Sequence, residues 1–206
     1  MNKEDILNIN IYQYKNKEDC PEYSNGYNEI NKHCTFRFYC KNDICSTSNS
    51  TGYAQFPNSK GEIENIQVNV CQDENHCSKS NASCFSDKDC LSNKCINNKC
   101  IRNENSPIIE CSDYYHHYNY LLYYKIKMHC KKGLYEKCEK HSDCASNVCA
   151  SINSEKNCIL FPRNMSKLKK QRLITIVISD IILVIFLITI IVVLRRSNKL
   201  KNPSRI

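Results

Sequence analysis

The sequence predicts small disulfide-rich repeat units with little regular secondary structure, mostly short β-strands, followed by one C-terminal transmembrane helix. Three observations lead to this fold class. The chain has 206 residues and 16 cysteines, all of which lie between Cys20 and Cys158. One cysteine pattern recurs along the chain, and residues 173–194 contain 18 apolar residues out of 22. Cysteine at this density in a short chain is typical of a disulfide scaffold.

The clearest repeat is a stretch of twelve residues, CFSDKDCLSNKC at 84–95 and CEKHSDCASNVC at 138–149. A third copy of the cysteine spacing, CTFRFYCKNDIC, lies at 34–45. Units of about this size bury too little apolar surface to be stable alone, so disulfides are expected to stabilise them. The disulfide candidates form groups of four, six and six, whose pairing the spacing leaves open: Cys20, Cys34, Cys40 and Cys45; Cys71, Cys77, Cys84, Cys90, Cys95 and Cys100; Cys111, Cys130, Cys138, Cys144, Cys149 and Cys158.

A zinc site is the alternative interpretation of clustered cysteines. Zinc sites favour C-x2-C pairs, whereas the closest cysteines of this chain have four residues between them. The six histidines do not recur at a fixed position in the three copies. The sequence therefore favours disulfides, without a metal or another cofactor.

The stretch D-C-x-S-N-x-C, shared by two copies, predicts a tight turn. Asp and Asn side chains hydrogen-bond to the nearby backbone and tolerate the left-handed conformation. Asp89, Ser92 and Asn93 are therefore interpreted as turn residues rather than as ligands.

Regular structure is expected to be sparse. Partial alternation of apolar residues predicts strands within 6–14 and 63–70, and the composition of 46–61 predicts a polar loop. Residues 114–129 contain six Tyr and three His, including the adjacent His116 and His117. This stretch is interpreted as one strand or helix of a small core. A contact surface is the alternative, and a metal site is disfavoured.

The apolar segment at 173–194 is long enough to cross a bilayer as a helix. Asp180 is its one charged residue. An acid at the centre of a span costs about 2.5–3.5 kcal/mol, whereas the apolar residues together return roughly 5–11 kcal/mol. Insertion is therefore predicted with Asp180 in place. Intramembrane acids often pair with a partner helix, although a locally hydrogen-bonded acid is an equal alternative.

Charge separates the two parts of the chain. Residues 163–206 carry ten Lys or Arg and one acid, whereas residues 1–162 carry 19 Lys or Arg against 20 Asp or Glu, a net charge of −1. The Cys-rich part has no basic excess for a phosphate backbone, so no nucleic-acid partner is expected.

Topology is not decided by charge, because five basic residues precede the span and five follow it. The cysteines favour an oxidising compartment, so the N-terminal Cys-rich part is expected outside the cell at the plasma membrane. The N-terminal residues have no apolar core of signal-peptide length, and the expectation is that a signal peptide lies upstream. A viral envelope protein that is anchored without a signal is the alternative.

Three sequons match the N-glycosylation pattern. Asn49 in NST lies in the polar loop and is the best candidate. Asn81 in NAS is a second candidate, whereas Asn164 in NMS is too close to the membrane.

The phrases CFSDKDCLSNKCINNKC, ENSPIIECSDYY and GLYEKCEKHSDCASNVC resemble Cys-rich, single-pass surface proteins of anaerobic gut fungi. The resemblance covers roughly residues 77–160 and the C-terminal span. More distantly, D-C-x-S-x-x-C is similar to the Cys-rich domains of Dickkopf-type secreted ligands. The first resemblance implies a membrane-anchored ectodomain, usually behind a signal peptide, and neither implies catalytic residues.

The predicted function is a membrane-anchored Cys-rich ectodomain in cell-surface recognition, adhesion or contact with a wall or matrix, not an enzyme, because no catalytic motif is found. Its partners are the membrane and a surface ligand or protein. The alternatives are a subunit of a membrane complex docked through Asp180 and the viral envelope protein. The predicted divisions are an N-terminal segment (1–19), three Cys units (20–70, 71–101 and 111–158) with a linker at 102–110, a basic stalk (159–172), the transmembrane helix (173–194) and a basic cytoplasmic tail (195–206).

Overall fold

The computed structural model describes residues 1–29, 31–77, 82–117, 124–152, 154–160 and 176–194. The chain divides into two compact units, Met1–Leu160 and Phe161–Ile206. Short strands, eight disulfides and one C-terminal apolar helix confirm the predicted fold class.

The described helices are α1 (Lys3–Leu7) and α2 (Ile176–Leu194), with 3-10 turns at Ile11–Gln13, Lys17–Asp19, Asp87–Asp89 and His141–Asp143. The described strands are β1 (Gly26–Asn28), β2 (His33–Thr35), β3 (Arg37–Lys41), β4 (Ile44–Ser46), β5 (Tyr53–Pro57), β6 (Ile63–Gln67), β7 (Cys95–Ile96), β8 (Lys99–Cys100), β9 (Ile109–His117), β10 (Tyr124–Lys132), β11 (Cys149–Ile152) and β12 (Glu155–Cys158).

The N-terminal segment is helical, so the strand predicted within 6–14 is wrong. Asn2 caps α1, where its Oδ1 accepts a hydrogen bond of 2.7 Å from the Asp5 amide. Asn10 caps the first 3-10 turn through the Tyr12 amide in the same way. Side-chain capping satisfies amides that the start of a helix leaves without a partner. Ile6 of α1 is buried in the core.

A four-stranded antiparallel sheet, in the order β10-β9-β3-β4, contains the longest strands. Pairing of β3 with β9 places Arg37 opposite Ser112 and Cys40 opposite Ile109, and thereby joins the first and third Cys units. Strands β9 and β10 form a hairpin, so the Tyr-rich stretch contributes to two strands rather than to a single element. One buried cluster lies against this sheet: Ile6, Ile11, Cys34, Phe36, Phe38, Cys40, Cys45, Cys111, Ile126 and Met128.

A second buried cluster forms around the hairpin of β5 and β6. Strand β6 confirms the strand predicted within 63–70, whereas β5 lies inside the segment predicted to be a polar loop. Ala54 and Phe56 are buried and Gln55 between them is exposed, which is the alternation of a half-buried strand. The alternating pattern was short and surrounded by polar residues, which explains why composition favoured a loop.

Residues 102–110, predicted as a linker, are packed against the Cys-rich part. Ile108 is buried, and its amide donates a hydrogen bond of 2.9 Å to Oε1 of Glu136. Strand β9 begins at the next residue. The second and third Cys units are therefore in contact through this segment.

Helix α2 has 19 residues and is long and apolar enough to cross a membrane. At 1.5 Å per residue it is about 28 Å long, close to the hydrocarbon thickness of a bilayer. The three residues predicted to begin the span, 173–175, lie outside the described residues, as do residues 161–172 of the basic stalk and the tail.

Candidate functional site

All sixteen cysteines are paired. Every bond joins two cysteines of the same predicted group, so that no disulfide links one Cys unit to another. The bonds are Cys20–Cys34, Cys40–Cys45, Cys71–Cys77, Cys84–Cys95, Cys90–Cys100, Cys111–Cys130, Cys138–Cys149 and Cys144–Cys158.

The two turn repeats, 84–95 and 138–149, have the same connectivity. In each, the first cysteine of the repeat bonds the third, and the second bonds a cysteine that follows the repeat. The following cysteine lies directly opposite the third cysteine in a two-stranded pair, β7–β8 or β11–β12. Four residues separate the third and the following cysteine after the first repeat, and eight separate them after the second. The longer segment therefore leaves the disulfide arrangement unchanged.

One carboxylate organises each turn repeat. Oδ2 of Asp89 accepts hydrogen bonds of 2.8 Å from the amides of Phe85 and Ser86. Oδ2 of Asp143 accepts from the amides of Glu139 and Lys140 at 3.0 and 3.1 Å. These amide donors hold the pKa of both carboxyls below its usual value, because they stabilise the charged form.

The left-handed residue of each turn is an asparagine, Asn93 with φ of 51° and Asn147 with φ of 55°. The turn role predicted for Asp89 and Asn93 is confirmed. Ser92 is buried, and its hydroxyl has no hydrogen-bond partner among the described residues. Its place in the turn is therefore set by burial rather than by a side-chain hydrogen bond.

The turn repeats differ in the side chains that they present. The Cys95 amide donates to Oδ1 of Asp87 in one repeat, and the Cys149 amide donates to Nδ1 of His141 in the other. At the position after the first cysteine, Phe85 is 97% exposed. The corresponding residue, Glu139, is also exposed. The same backbone geometry therefore accepts either an aromatic or a charged residue at this position.

The third copy of the spacing, at 34–45, is not a third turn repeat. Cys34 bonds Cys20, and Cys40 bonds Cys45 across the hairpin of β3 and β4. The residues between Cys34 and Cys40 are mostly strand, with Phe36 and Phe38 buried. The cysteine spacing at 34–45 matches that of the two turn repeats, but the pairing and the fold of the segment are different.

Three groups of cysteines have Sγ atoms within 4.8 Å of one another. Cys84, Cys90 and Cys95 form one group, and the other two likewise combine both sulfurs of one disulfide with a sulfur of a second. Thiolate is the metal-binding form of cysteine, and a sulfur in a disulfide does not supply it. Disulfide clustering thus accounts for this geometry.

A polar cluster lies where the second and third Cys units meet. The Arg102 guanidinium donates to the Tyr135 carbonyl, to Oδ1 of Asn157 and to Oε2 of Glu155. Glu136 is buried beside this cluster, and burial raises the pKa of its carboxyl to about 7. Sequence reasoning missed this cluster, because no motif or repeated spacing marks these residues.

Glu136→Gln is expected to remove a pH dependence of stability. The folded protein binds the Glu136 proton more tightly than the unfolded chain does, since the pKa rises from 4.5 to about 7. This contribution is complete below pH 4.5 and is lost as the pH rises through 7. Glutamine keeps an oxygen for the Ile108 amide and carries no charge. At pH 8 the variant should be about 1–3 kcal/mol more stable than the parent.

Thermal unfolding of the full chain in detergent from pH 4 to pH 8 measures this difference. The melting temperatures of the variant and the parent, plotted against pH, should coincide at the acidic end and separate towards the alkaline end. Parallel curves over the whole range would show that Glu136 does not titrate in it.

A cavity of about 550 Å³ lies between residues 72–75 and 94–105. Two of its acidic side chains bind close neighbours. Oε2 of Glu74 accepts from Asn97, and Glu104 forms an ion pair of 2.6 Å with Lys137. The polar groups of these two acidic side chains are therefore used in contacts within the Cys-rich part.

The remaining predicted residues are separate from these sites. Asn49 is exposed on the loop before β5, and Asp180 is exposed on α2. Asn81 lies outside the described residues, as do the side chains of His116 and His117.

No model of a protein family matches the chain, and no curated protein or solved structure does either.

Proposed function

We propose that this protein is a membrane-anchored Cys-rich ectodomain that acts in cell-surface recognition, adhesion or contact with a wall or matrix, without catalysis. The observation that carries the proposal is the pairing of all sixteen cysteines within Met1–Leu160, in a chain with one membrane-length apolar helix at its C-terminal side. This combination fits a membrane-anchored extracellular protein, because disulfides persist in oxidising compartments. The resemblance to surface proteins of anaerobic gut fungi agrees with the proposal.

Phe85 is the residue we assign to partner contact. The hydrogen bonds and disulfides of its turn repeat also form in the other repeat, which has Glu139 at this position. The fold therefore does not require an aromatic residue there, yet the ring is almost completely exposed. A rigidly held aromatic residue is the usual anchor of a protein interface. Contact with a partner accounts for its exposure.

Phe85→Glu tests the contact by giving the turn repeat at 84–95 the residue that the repeat at 138–149 has at this position. Cells that display the full chain are applied to immobilised wall polysaccharides, to matrix proteins and to a layer of parent cells. Burial of a Phe side chain contributes about 1.5–3 kcal/mol, so adhesion to the cognate surface should fall by at least about tenfold.

Glu139→Gln is the matched control and should adhere like the parent. Equal adhesion of Phe85→Glu and parent cells to the cognate surface would exclude Phe85 as the contact. Parent cells that adhere to all surfaces no better than cells without the protein would contradict the proposed recognition role.

Asn49 is expected to carry an N-linked glycan if the Cys-rich part is lumenal. The residue is exposed, and its Oδ1 accepts a hydrogen bond of 2.8 Å from the hydroxyl of Thr51 in the same sequon. Expression in a eukaryotic secretory pathway should give a mass that falls after peptide N-glycosidase treatment. Asn49→Gln should remove most of that shift, and Asn58→Gln, which lies outside a sequon, should leave it unchanged. A parent protein with no glycan in this system would argue against lumenal exposure.

A subunit of a membrane complex is the second proposed function, and Asp180 is the observation that favours it. The carboxylate lies on the same face of α2 as Val177, Ile181 and Val184, which form a shallow apolar groove with it. An acid in a span is usually paired with a partner helix. Asp180→Leu should then abolish co-purification of the partner, whereas Thr189→Val should not, because the Thr189 hydroxyl donates to the Phe186 carbonyl of its own helix. Unchanged complexes in both variants would contradict this function.

A further inference from the structure

Four cysteines lie side by side across the four-stranded sheet. Cys130 of β10 is directly opposite Cys111 of β9, and Cys40 of β3 is directly opposite Cys45 of β4. Residues directly opposite each other point to the same face, as do residues two apart in a strand. Phe38 faces Cys111, so Cys40 is the diagonal neighbour of Cys111 on that face. All four sulfurs therefore belong to one face of the sheet.

The two disulfides of this face are in contact. Sγ of Cys40 lies 3.3 Å from Sγ of Cys111, although these atoms belong to different bonds. Thiol–disulfide exchange requires a thiolate that reaches a disulfide sulfur. A thiolate formed at Cys111 would already be in contact with such a sulfur.

The sulfurs of this face differ in access. Cys40, Cys45 and Cys111 are buried, whereas Cys130 is partly exposed. Strand β10, which carries Cys130, has four Lys and no acidic residue in the sequence YKIKMHCKK. Of these, Lys132 lies two residues from Cys130 on the same face of the sheet, whereas Lys127 and Lys131 alternate to the other face. The charge of Lys132 favours the approach of an anion such as a thiolate or glutathione. Entry is thus expected at Cys130, and the partial exposure favours a small thiol over a protein.

We propose that this sheet face is a thiol-accepting site that takes a low-molecular-mass thiolate of the glutathione class. The external thiolate attacks Sγ of Cys130 and forms a mixed disulfide, while the Cys111–Cys130 bond breaks and its electron pair leaves on Sγ of Cys111. The Cys111 thiolate then attacks Sγ of Cys40. A Cys40–Cys111 bond forms, the Cys40–Cys45 bond breaks, and Sγ of Cys45 leaves with the electron pair and takes a proton.

Two disulfides are present before and after this reaction, so it needs no separate oxidant or reductant. The external thiol becomes bound to Cys130, and the thiol hydrogen ends on Cys45. Hairpin bonds over 5 and 19 residues are replaced by a bond over 71 residues that links the first Cys unit to the third. The accepted thiol therefore changes which strands of the sheet are joined covalently.

Cys45→Ser tests whether the sulfurs of Cys40 and Cys111 exchange without an external thiol. The variant leaves Cys40 with a free thiol in contact with Cys111, so Cys40 is expected to displace Cys130. Alkylation at neutral pH followed by peptide mapping should find the label on Cys130 and a Cys40–Cys111 bond. Cys40→Ser is the matched control. Its free thiol at Cys45 is on the next strand, with Sγ within 4.8 Å of Sγ of Cys111, whereas Sγ of Cys40 makes the closer contact of 3.3 Å. The label should then remain on Cys45. A label that stays on Cys40 in the first variant would overturn the proposal.

The parent protein provides a test that does not depend on a variant that folds. The full chain in detergent is incubated with reduced glutathione at pH 8, quenched with acid, and analysed by intact mass and peptide mapping. The expected product has one glutathione on Cys130, a Cys40–Cys111 bond and a free thiol at Cys45. Glutathione on Cys130 with Cys40–Cys45 intact would refute the exchange step. Resistance of Cys130 to glutathione while the fold is retained would refute the site.

Discussion

Gly52→Ala is expected to lower the free energy of unfolding of the Cys-rich part by roughly 2–5 kcal/mol. Gly52 is buried and has a φ of +87°, a conformation that costs a residue with a Cβ about 1–2 kcal/mol. A Cβ at this position would also overlap the side-chain amide of Asn69 and lie 2.7 Å from Oε1 of Gln67. Overpacking of this kind costs typically 1–3 kcal/mol more.

The chain offers a matched control in Gly61. Its φ is +84°, but a Cβ there would have no atom within 4 Å. Gly61→Ala should therefore show the conformational cost alone, about 1–2 kcal/mol. Thermal unfolding of the two variants, followed by near-ultraviolet circular dichroism with the disulfides intact, measures the difference. Equal losses of stability would mean that the contacts of Gly52 have no energetic effect.

Removal of the Cys144–Cys158 bond is expected to unfold the third Cys unit locally. The buried cluster of this turn repeat consists of Cys138, Cys144 and Cys158, with Cys149 packed against it. Loss of a native disulfide from a small domain costs about 2–5 kcal/mol. Since sulfur atoms make up the cluster, the variant Cys144→Ala with Cys158→Ala loses both the cross-link and the packing.

The equivalent change in the second Cys unit, Cys90→Ala with Cys100→Ala, is the comparison. That pair belongs to a larger cluster with Phe56, Ile66 and Val68, so much of the core remains. Hydrogen exchange should show lost protection over β11 and β12 in the first variant and retained protection over β5 and β6 in the second. Retained protection of β11 and β12 without the bond would show that sulfur packing is not what stabilises this unit.

The parts of the fold that the sequence predicted are encoded locally. A cysteine separated from its partner by 5–19 residues closes a short loop, so both partners lie in the same stretch of sequence. The Asp and Asn of the turns act on amides within a few residues, and the apolar span is continuous. The N-terminal strand was wrong because alternation over a few residues is compatible with a short helix. The asparagines at positions 2 and 10 indicated the starts of helical turns, since Asn is a favoured N-cap.

Long-range pairing accounts for what the sequence did not predict. Phe38 and Cys111 are neighbours across β3 and β9, and no local pattern relates two segments so far apart. The contact of Cys40 with Cys111 and the burial of Glu136 follow from such pairing and were missed with it. The exposure of Phe85 could have been predicted from the sequence. Alignment of the two turn repeats places Phe85 at the position of Glu139, and a position that accepts a charged residue is generally exposed.

The pairing of β3 with β9 also limits how the Cys-rich part can be divided for expression. A fragment that begins at Cys71 would retain β9 and β10 but leave the far edge of β9 open, with unpaired amides and carbonyls beside Cys111. Open edges of this kind pair with other copies and aggregate. The cysteine grouping invites truncation at the unit boundaries, yet a soluble product is expected only when Met1–Leu160 is kept in one piece.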